Sequence, residues 1–216
     1  MIHYGAESNA FQKVLLDKEK PWHLKLDTIE FAIEYMIANF DDEKRRNAIN
    51  DFINNLNECF ESLNFGYRIV NGMVTDIITP VEINEVEQAE ETSDEVVANH
   101  LRQALVLYSQ KPKPDYRNSI KEAISSVEAL MRFHTGENTF GPAYTKIKSE
   151  ITIHPQMQNF IQKVYDYTNQ ENTGIRHSKV VADTTYLPSA DEAKLMLVIC
   201  SAIVNYFNSK FSKVVV

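Results

Sequence analysis

Ser189-Ala190-Asp191-Glu192-Ala193-Lys194-Leu195-Met196-Leu197-Val198-Ile199-Cys200-Ser201-Ala202-Ile203-Val204 decides the fold. Leu195, Ile199, Ala202, Ile203 and, one turn on, Tyr206 recur at the spacing of a helix, which the pattern predicts over about 190–209. Ser189 followed three residues later by Glu192 is a capping box, the signature of a helix start. The segment is apolar on nearly every side, so it needs cover from several neighbours and is predicted to be the central helix of a bundle. Leu195–Val204 is interrupted and short of the roughly 20 residues that a bilayer span requires.

Outward from this helix the apolar spacing stays helical. Val97, Leu101, Ala104, Leu105 and Tyr108 make one stripe. Ile120, Ala123, Ile124, Val127, Leu130 and Met131 make another, and Phe160, Ile161, Val164, Tyr165 and Thr168 a third. Four major helices with an irregular segment at 135–156 predict a small bundle. Nearer the N-terminus, Ile29, Ile33, Met36, Ile37 and Phe40 form a stripe, with Asp27 and Glu30 reading as a capping box before it. After Asp41 and Asp42, a helix beginning at Glu43 carries Ile49, Phe52, Ile53, Leu56, Phe60 and Leu63, which predicts an antiparallel helical pair. The one β signal follows. Tyr67–Val70 and Met73–Ile77 flank Asn71-Gly72, a pair suited to a type I′ turn because both central residues need positive φ. A lone hairpin is marginal in water and is expected to pack on the helices.

The 216 residues predict one large or two small domains. Residues 81–95 carry seven carboxylates and no Lys or Arg, reading as a solvated helix face or a connector. The domain boundary is placed there, giving 1–92 and 93–216. The fold class is all-α. Net charge is −8, which argues against nucleic-acid binding by the whole surface, yet residues 102–179 hold four more basic than acidic residues. Hydrophobic residues are 44%, too many for a disordered chain. With six glycines and no Gly-rich phosphate-loop pattern, a nucleotide-cradling loop is not expected. Cys59 and Cys200 lie in apolar helical patterns with no C-x-x-C, reading as reduced core thiols. Met1 to Phe11 shows no basic stretch followed by an apolar run, so no secretory signal is read there, and the chain reads as cytoplasmic with no membrane partner.

Two stretches carry chemistry. Asn169 to Ser178 is polar and contains Arg176-His177. A guanidinium offers forked, permanently charged donors to phosphate oxygens. An imidazole titrates near neutral pH and can move a proton to or from a ribose hydroxyl. Such a pair could cleave RNA without a metal, using the neighbouring 2′-OH as nucleophile; a structural Arg-His at a helix end is the alternative. Asp115 to Glu122, continuing to Glu128, places Arg117 and Lys121 one turn apart, a like-charge pair that an acid such as Glu122 or an anionic ligand would relieve. His3, His23, His100, His134 and His154 have no partner at metal-ligand spacing, so no metal and no cofactor is expected. Trp22, after Pro21, reads as a packing anchor.

Pro114 to Leu130 resembles the second helix of a HEPN-type domain. Tyr165-x-Tyr167-Thr168, then Gly174-Ile175-Arg176-His177, then Asp191-Glu192-Ala193-Lys194 resembles the C-terminal part of the same group. The two N-terminal helices and Phe65–Gly72 are similar to bacterial AbiJ proteins of abortive-infection type. The resemblance covers roughly residues 9–209. It implies a HEPN-like helical bundle behind a small helical domain carrying one β-hairpin. It further implies a metal-independent ribonuclease or toxin-like effector in phage defence, a homodimer with a site across the two-fold axis, RNA as substrate and a partner protein or antitoxin. The non-catalytic alternative is a HEPN-type module that binds RNA, nucleotide or a partner protein. The usual motif places Arg four to six residues before His. Counted back from His177 these are Gln170, Glu171 and Asn172, so Arg176 is the candidate phosphate clamp, His177 the general acid/base and Asn172 a further polar contact. Arg117, Asn118 and Lys121 are the candidate phosphate or RNA contacts.

Overall fold

A computed structural model describes residues 4–39, 43–77, 79–91, 93–170, 175 and 186–212, with side chains from residue 10. Among these, nine helices and one two-stranded hairpin are seen, so the chain is mainly α, as the spacing predicts. It divides into two compact units. One holds Met1–Ile78 with Lys111–Lys113, the other Thr79–Gln110 with Pro114–Val216.

In the first unit, α1 spans Tyr4–Leu16, α2 Trp22–Asn39 and α3 Glu43–Ser62. The strands β1 (Arg68–Val70) and β2 (Met73–Thr75) follow. The hairpin is antiparallel with Ile69 opposite Val74. Asn71 and Gly72 have φ of 46° and 82°, the two positive values a type I′ turn demands. The strands lie on the helices, β1 against α3 and β2 against α2. Leu26, Ile33, Ile69 and Val74 form the core, with Ile29, Met36, Ile53, Leu56, Phe60 and Tyr67 packed around them. Asn57 on α3 pins β1, its Oδ1 accepting the Ile69 N–H at 2.7 Å and its Nδ2 donating to the Ile69 carbonyl at 2.9 Å.

The Asp27–Glu30 capping box is not formed. The helix begins five residues earlier, at Trp22 after Pro21, so both acids lie inside α2. Glu30 is used across the fold instead. Its Oε1 accepts the Val74 N–H and the Lys111 ammonium, each at 2.7 Å. Lys111 also donates to the Val74 carbonyl at 3.2 Å, and its side chain is only 6% exposed. Burial raises the Glu30 carboxyl above its ordinary range, against the pull of Lys111 and the Val74 N–H. Trp22 is 55% exposed, with an edge contact to His23 and a tilted one to Tyr67 at 6.2 Å, so it is a half-wet cover and not a core anchor. Cys59 is exposed on α3, correcting its reading as a core thiol; Cys200 is fully buried, and burial pushes its thiol well up.

In the second unit, α4 is Pro80–Glu91, α5 Glu95–Ser109, α6 Tyr116–Thr135, α7 Phe140–Glu150, α8 Pro155–Asn169 and α9 Ala190–Ser212. The acidic stretch 81–95 is therefore largely a helix. Val86 and Ala89 bury one face of α4 while its carboxylates stay on the others. The segment 135–156 is not irregular, for α7 lies within it. Gly141 and Pro142 occupy its first turn, where a missing N–H costs no helical bond.

α6 packs on α5, α7, α8 and α9, and α9 packs on α4, α5 and α6. Ala193, Leu197, Cys200, Val204 and Phe207 of α9 are buried. By length and composition α9 is apolar enough to cross a membrane, and in this fold it serves as a core helix. The capping box at its start is formed in both directions: Ser189 N–H donates to Glu192 Oε2 at 2.8 Å, and Glu192 N–H to Ser189 Oγ at 3.3 Å. Asp115 caps α6 through the Asn118 N–H, and Gly136 ends that helix at φ 73°. Phe140 stacks on Tyr165 at 3.8 Å, joining α7 to α8, and Tyr144 donates to the Gln158 carbonyl at 3.1 Å.

Candidate functional site

The long polar connection that follows α8 holds the sequence-predicted catalytic group. Arg176, His177 and Asn172 lie outside the described residues. Ile175, immediately before Arg176, is 3% exposed. Tyr167 in the last turn of α8 and Tyr186 ahead of α9 meet hydroxyl to hydroxyl at 2.7 Å, and Tyr186 donates to Glu192 Oε1 at 2.6 Å. Burial first, then donation to Glu192, holds the Tyr186 phenol far above its usual range. The Ser189 N–H and then the Tyr186 hydroxyl hold the Glu192 carboxyl below its own. Glu192 thus closes the cap of α9 with one oxygen and anchors the two phenols with the other.

Arg117, Asn118 and Lys121 all lie in the first turns of α6. Asn118 is taken by the cap, its Nδ2 donating to Asp115 Oδ2 at 2.7 Å. Lys121 is exposed. The Nε of Arg117 is buried and finds no hydrogen-bond acceptor among the described residues. Glu122 does not relieve the Arg117–Lys121 pair, because it is engaged elsewhere: its Oε2 meets His100 Nδ1 at 2.7 Å. Twenty-two residues separate these two, and nothing in the local pattern of either marks the pair.

His100 borders an open groove of about 540 Å³ between α5 and α6. The contact with the Glu122 carboxylate holds the His100 ring in one orientation at the groove's edge. The groove wall carries Asp94, Glu128 and Glu137 against the single guanidinium of Arg132. A polyanion entering it meets like charge, so this groove is poorly suited to an RNA backbone. His134 stacks on Phe211 at 3.5 Å, where burial lowers its pKa, and His154 caps α8 by accepting the Gln156 N–H. Among the described residues, no group of three His, Cys, Asp or Glu side chains gathers as a metal site. In the first unit, an open groove of about 620 Å³ between α1 and α2 is apolar, with Phe11, Val14, Leu24, Phe31 and Tyr35 on its walls.

Neither a curated protein nor a solved structure matches this chain. Its N-terminal part does match a family. Residues 3–92 fit AbiJ N-terminal domain 4, which supports an AbiJ-type protein and an abortive-infection context.

Proposed function

We propose that this is an AbiJ-type phage-defence effector of the cytoplasm whose C-terminal part is a HEPN-like, metal-independent ribonuclease acting as a homodimer. The match of residues 3–92 to AbiJ N-terminal domain 4 carries the defence context. The helical C-terminal unit and the resemblance of Pro114–Leu130 and Gly174–His177 to HEPN-type domains support the activity. In this reading His177 takes the proton of a ribose 2′-OH as that oxygen attacks the adjacent phosphorus. The proton returned to the departing 5′-oxygen comes from an imidazolium, leaving a 2′,3′-cyclic phosphate and a 5′-hydroxyl. Arg176 stabilises the charge that develops on the phosphoryl oxygens, with Asn172 as a neutral contact. Arg117 and Lys121, aided by the positive end of α6, hold the flanking backbone.

The test is cleavage of mixed cellular RNA in EDTA by the wild type and by Arg176→Ala/His177→Ala. Loss of cleavage in a folded double variant is expected; equal cleavage by both proteins refutes the assignment. A phage-challenge assay in bacteria expressing each protein tests the context, the wild type being expected to lower phage yield. The second reading, a non-catalytic module binding RNA, nucleotide, a partner protein or antitoxin, is favoured by one observation. Positions 170–172 are Gln, Glu and Asn, so the upstream arginine of the usual motif is missing. Stoichiometric binding without turnover would select it.

A further inference from the structure

α2 is apolar on two opposite faces. Leu26 and Ile33 are buried, and Ile29 and Met36 pack beside them against the hairpin and α3. On the other side Leu24, Phe31 and Tyr35 follow one another at seven and four residues, the spacing of a single helical stripe, with Thr28 between the first two. α1 covers only part of that stripe. It has 13 residues against 18 in α2, about 20 Å of helix against about 27 Å. Phe11 meets Phe31 with ring centroids 6.1 Å apart, yet Phe31 stays 58% exposed. A single exposed apolar residue needs no explanation. Here Phe11, Val14, Leu24, Phe31 and Tyr35 line one groove of about 620 Å³, a surface of the kind that takes a further helix.

The charge beside the stripe selects the occupant. Among the described residues Asp27 is the one charged residue on the groove wall, and Glu34, seven residues on and exposed, continues the same edge. Lys25, two residues before Asp27, falls on the far side of the helix from it. The Lys111 ammonium is committed to Glu30 at 2.7 Å and comes only within 3.9 Å of Asp27, which leaves the Asp27 carboxylate able to meet a further cation. Nucleic acid is repelled by such an edge. Helices that lie on a membrane carry Lys or Arg beside the apolar face, the opposite of what is found here. A second copy laid antiparallel with Thr28 and Phe31 at the crossing brings Asp27 of each copy beside Glu34 of the other, like charge on like. A helix with basic residues beside its apolar stripe satisfies both the groove and its edge.

We propose that the groove between α1 and α2 is the docking site for an amphipathic helix of a partner protein, one that carries apolar residues at i, i+3 or i+4 and i+7 and Lys or Arg along one flank. The first unit thereby has a binding role of its own. No residue of the second unit takes part, so the outcome does not depend on whether that unit cleaves RNA.

The probes are two fluorescein-labelled peptides as long as α2, 18 residues, each with Leu at the spacing of one stripe and either Lys or Glu at the flanking positions. Their binding to the full chain is read by fluorescence anisotropy at about 150 mM salt, where exposed charges more than about 8 Å apart are largely screened. The Lys peptide should bind about tenfold or more tighter than the Glu peptide, the scale of reversing two exposed charge contacts. Hydrogen exchange in α1 and α2 should slow when it binds. Phe31→Ser should weaken the Lys peptide about tenfold or more at an unchanged thermal midpoint, since Phe31 lies outside the core. Asp27→Asn/Glu34→Gln should bring the two peptides within about threefold of each other. Glu34→Gln alone, at an exposed site, should narrow the gap part-way.

Binding of neither peptide overturns the docking role, as does equal binding of both to the wild type. A Lys peptide held as tightly by Phe31→Ser as by the wild type reports attraction to the net charge of −8 and overturns it too. If light scattering finds a wild-type dimer that Phe31→Ser dissociates, a second copy covers the groove. If the wild type floats with phosphatidylcholine vesicles and Phe31→Ser does not, a lipid surface covers it. Either result displaces the partner helix and overturns the assignment.

Discussion

Replacing Glu30 by Ala should unfold much of the first unit's stability. One oxygen of Glu30 accepts from both the Val74 N–H and the Lys111 ammonium at 2.7 Å, and Val74 is 1% exposed. The truncation strands a buried N–H and leaves an ammonium, 6% exposed, with the Val74 carbonyl at 3.2 Å and Asp27 at 3.9 Å. Removing one partner of a buried pair costs about 3–5 kcal/mol. The stranded N–H, about 1–3 kcal/mol alone, overlaps with that figure because both bonds share one acceptor. A unit of this size is stable by only about 4–12 kcal/mol, so the loss is a large fraction. Urea unfolding followed by Trp22, the single tryptophan and a residue of α2, reads this unit. Glu30→Gln, which keeps the acceptor and drops the charge, should cost about 1–2 kcal/mol. Glu30→Ala/Lys111→Met should recover most of the single variant's loss, since it removes the stranded charge. A cost below about 1 kcal/mol for Glu30→Ala would refute the buried-pair reasoning. The pH dependence has a definite sign. With its pKa raised above 4.5 by burial, folded Glu30 binds a proton more readily than the unfolded chain does. Its contribution therefore falls as pH rises from 4.5 through the raised value, and the stability gap between wild type and Glu30→Gln should shrink across that window.

Asn57→Ala removes both side-chain bonds to Ile69, at 2.7 and 2.9 Å, and leaves the N–H and carbonyl of a fully buried residue short of partners. The same urea assay should show about 2–4 kcal/mol of destabilisation. Cys59 is exposed and Cys200 fully buried with a raised pKa, so iodoacetamide at pH 8 should label one thiol per native chain, at Cys59, and two only after unfolding. Rapid labelling of Cys200 in the native protein would contradict its place in the core.

The parts of the fold that were legible in advance are those whose signals are short-range. Ser189 and Glu192 are three residues apart, and their reciprocal cap forms as the spacing predicts. Asn71 and Gly72 adopt positive φ because asparagine tolerates the left-handed region and glycine has no Cβ to oppose it. The stripe at 120–131 faces the core because helical periodicity alone sorts it. Where two short-range signals compete, the reading fails. Gly141 and Pro142 look like breakers, yet α7 places them in its first turn. Asp27 and Glu30 look like a cap, yet Pro21 starts the helix earlier and both fall inside it.

The candidate site divides in the same way. Arg176, His177 and Asn172 were singled out by residue chemistry and resemblance, and they lie outside the described residues. Arg117, Asn118 and Lys121 share one helical start, but their different fates were not readable from spacing. Asn118 is spent on the Asp115 cap, and the acid expected to balance Arg117 is drawn to His100.

The sequence by itself determined α2, α3, α5, α6, α8 and α9, the hairpin turn, the cap of α9 and the residue types able to handle a phosphodiester. Each depends on backbone preference or side-chain chemistry within a few residues. Tertiary structure alone decided the partners of Glu30, which lie 44 and 81 residues away, the pairing of His100 with Glu122, and the chain from Tyr167 to Glu192. These bonds join residues that share no periodicity. Only the burial of neighbouring faces brings them within reach, and once there, desolvation leaves each polar group strongly dependent on the partner it meets.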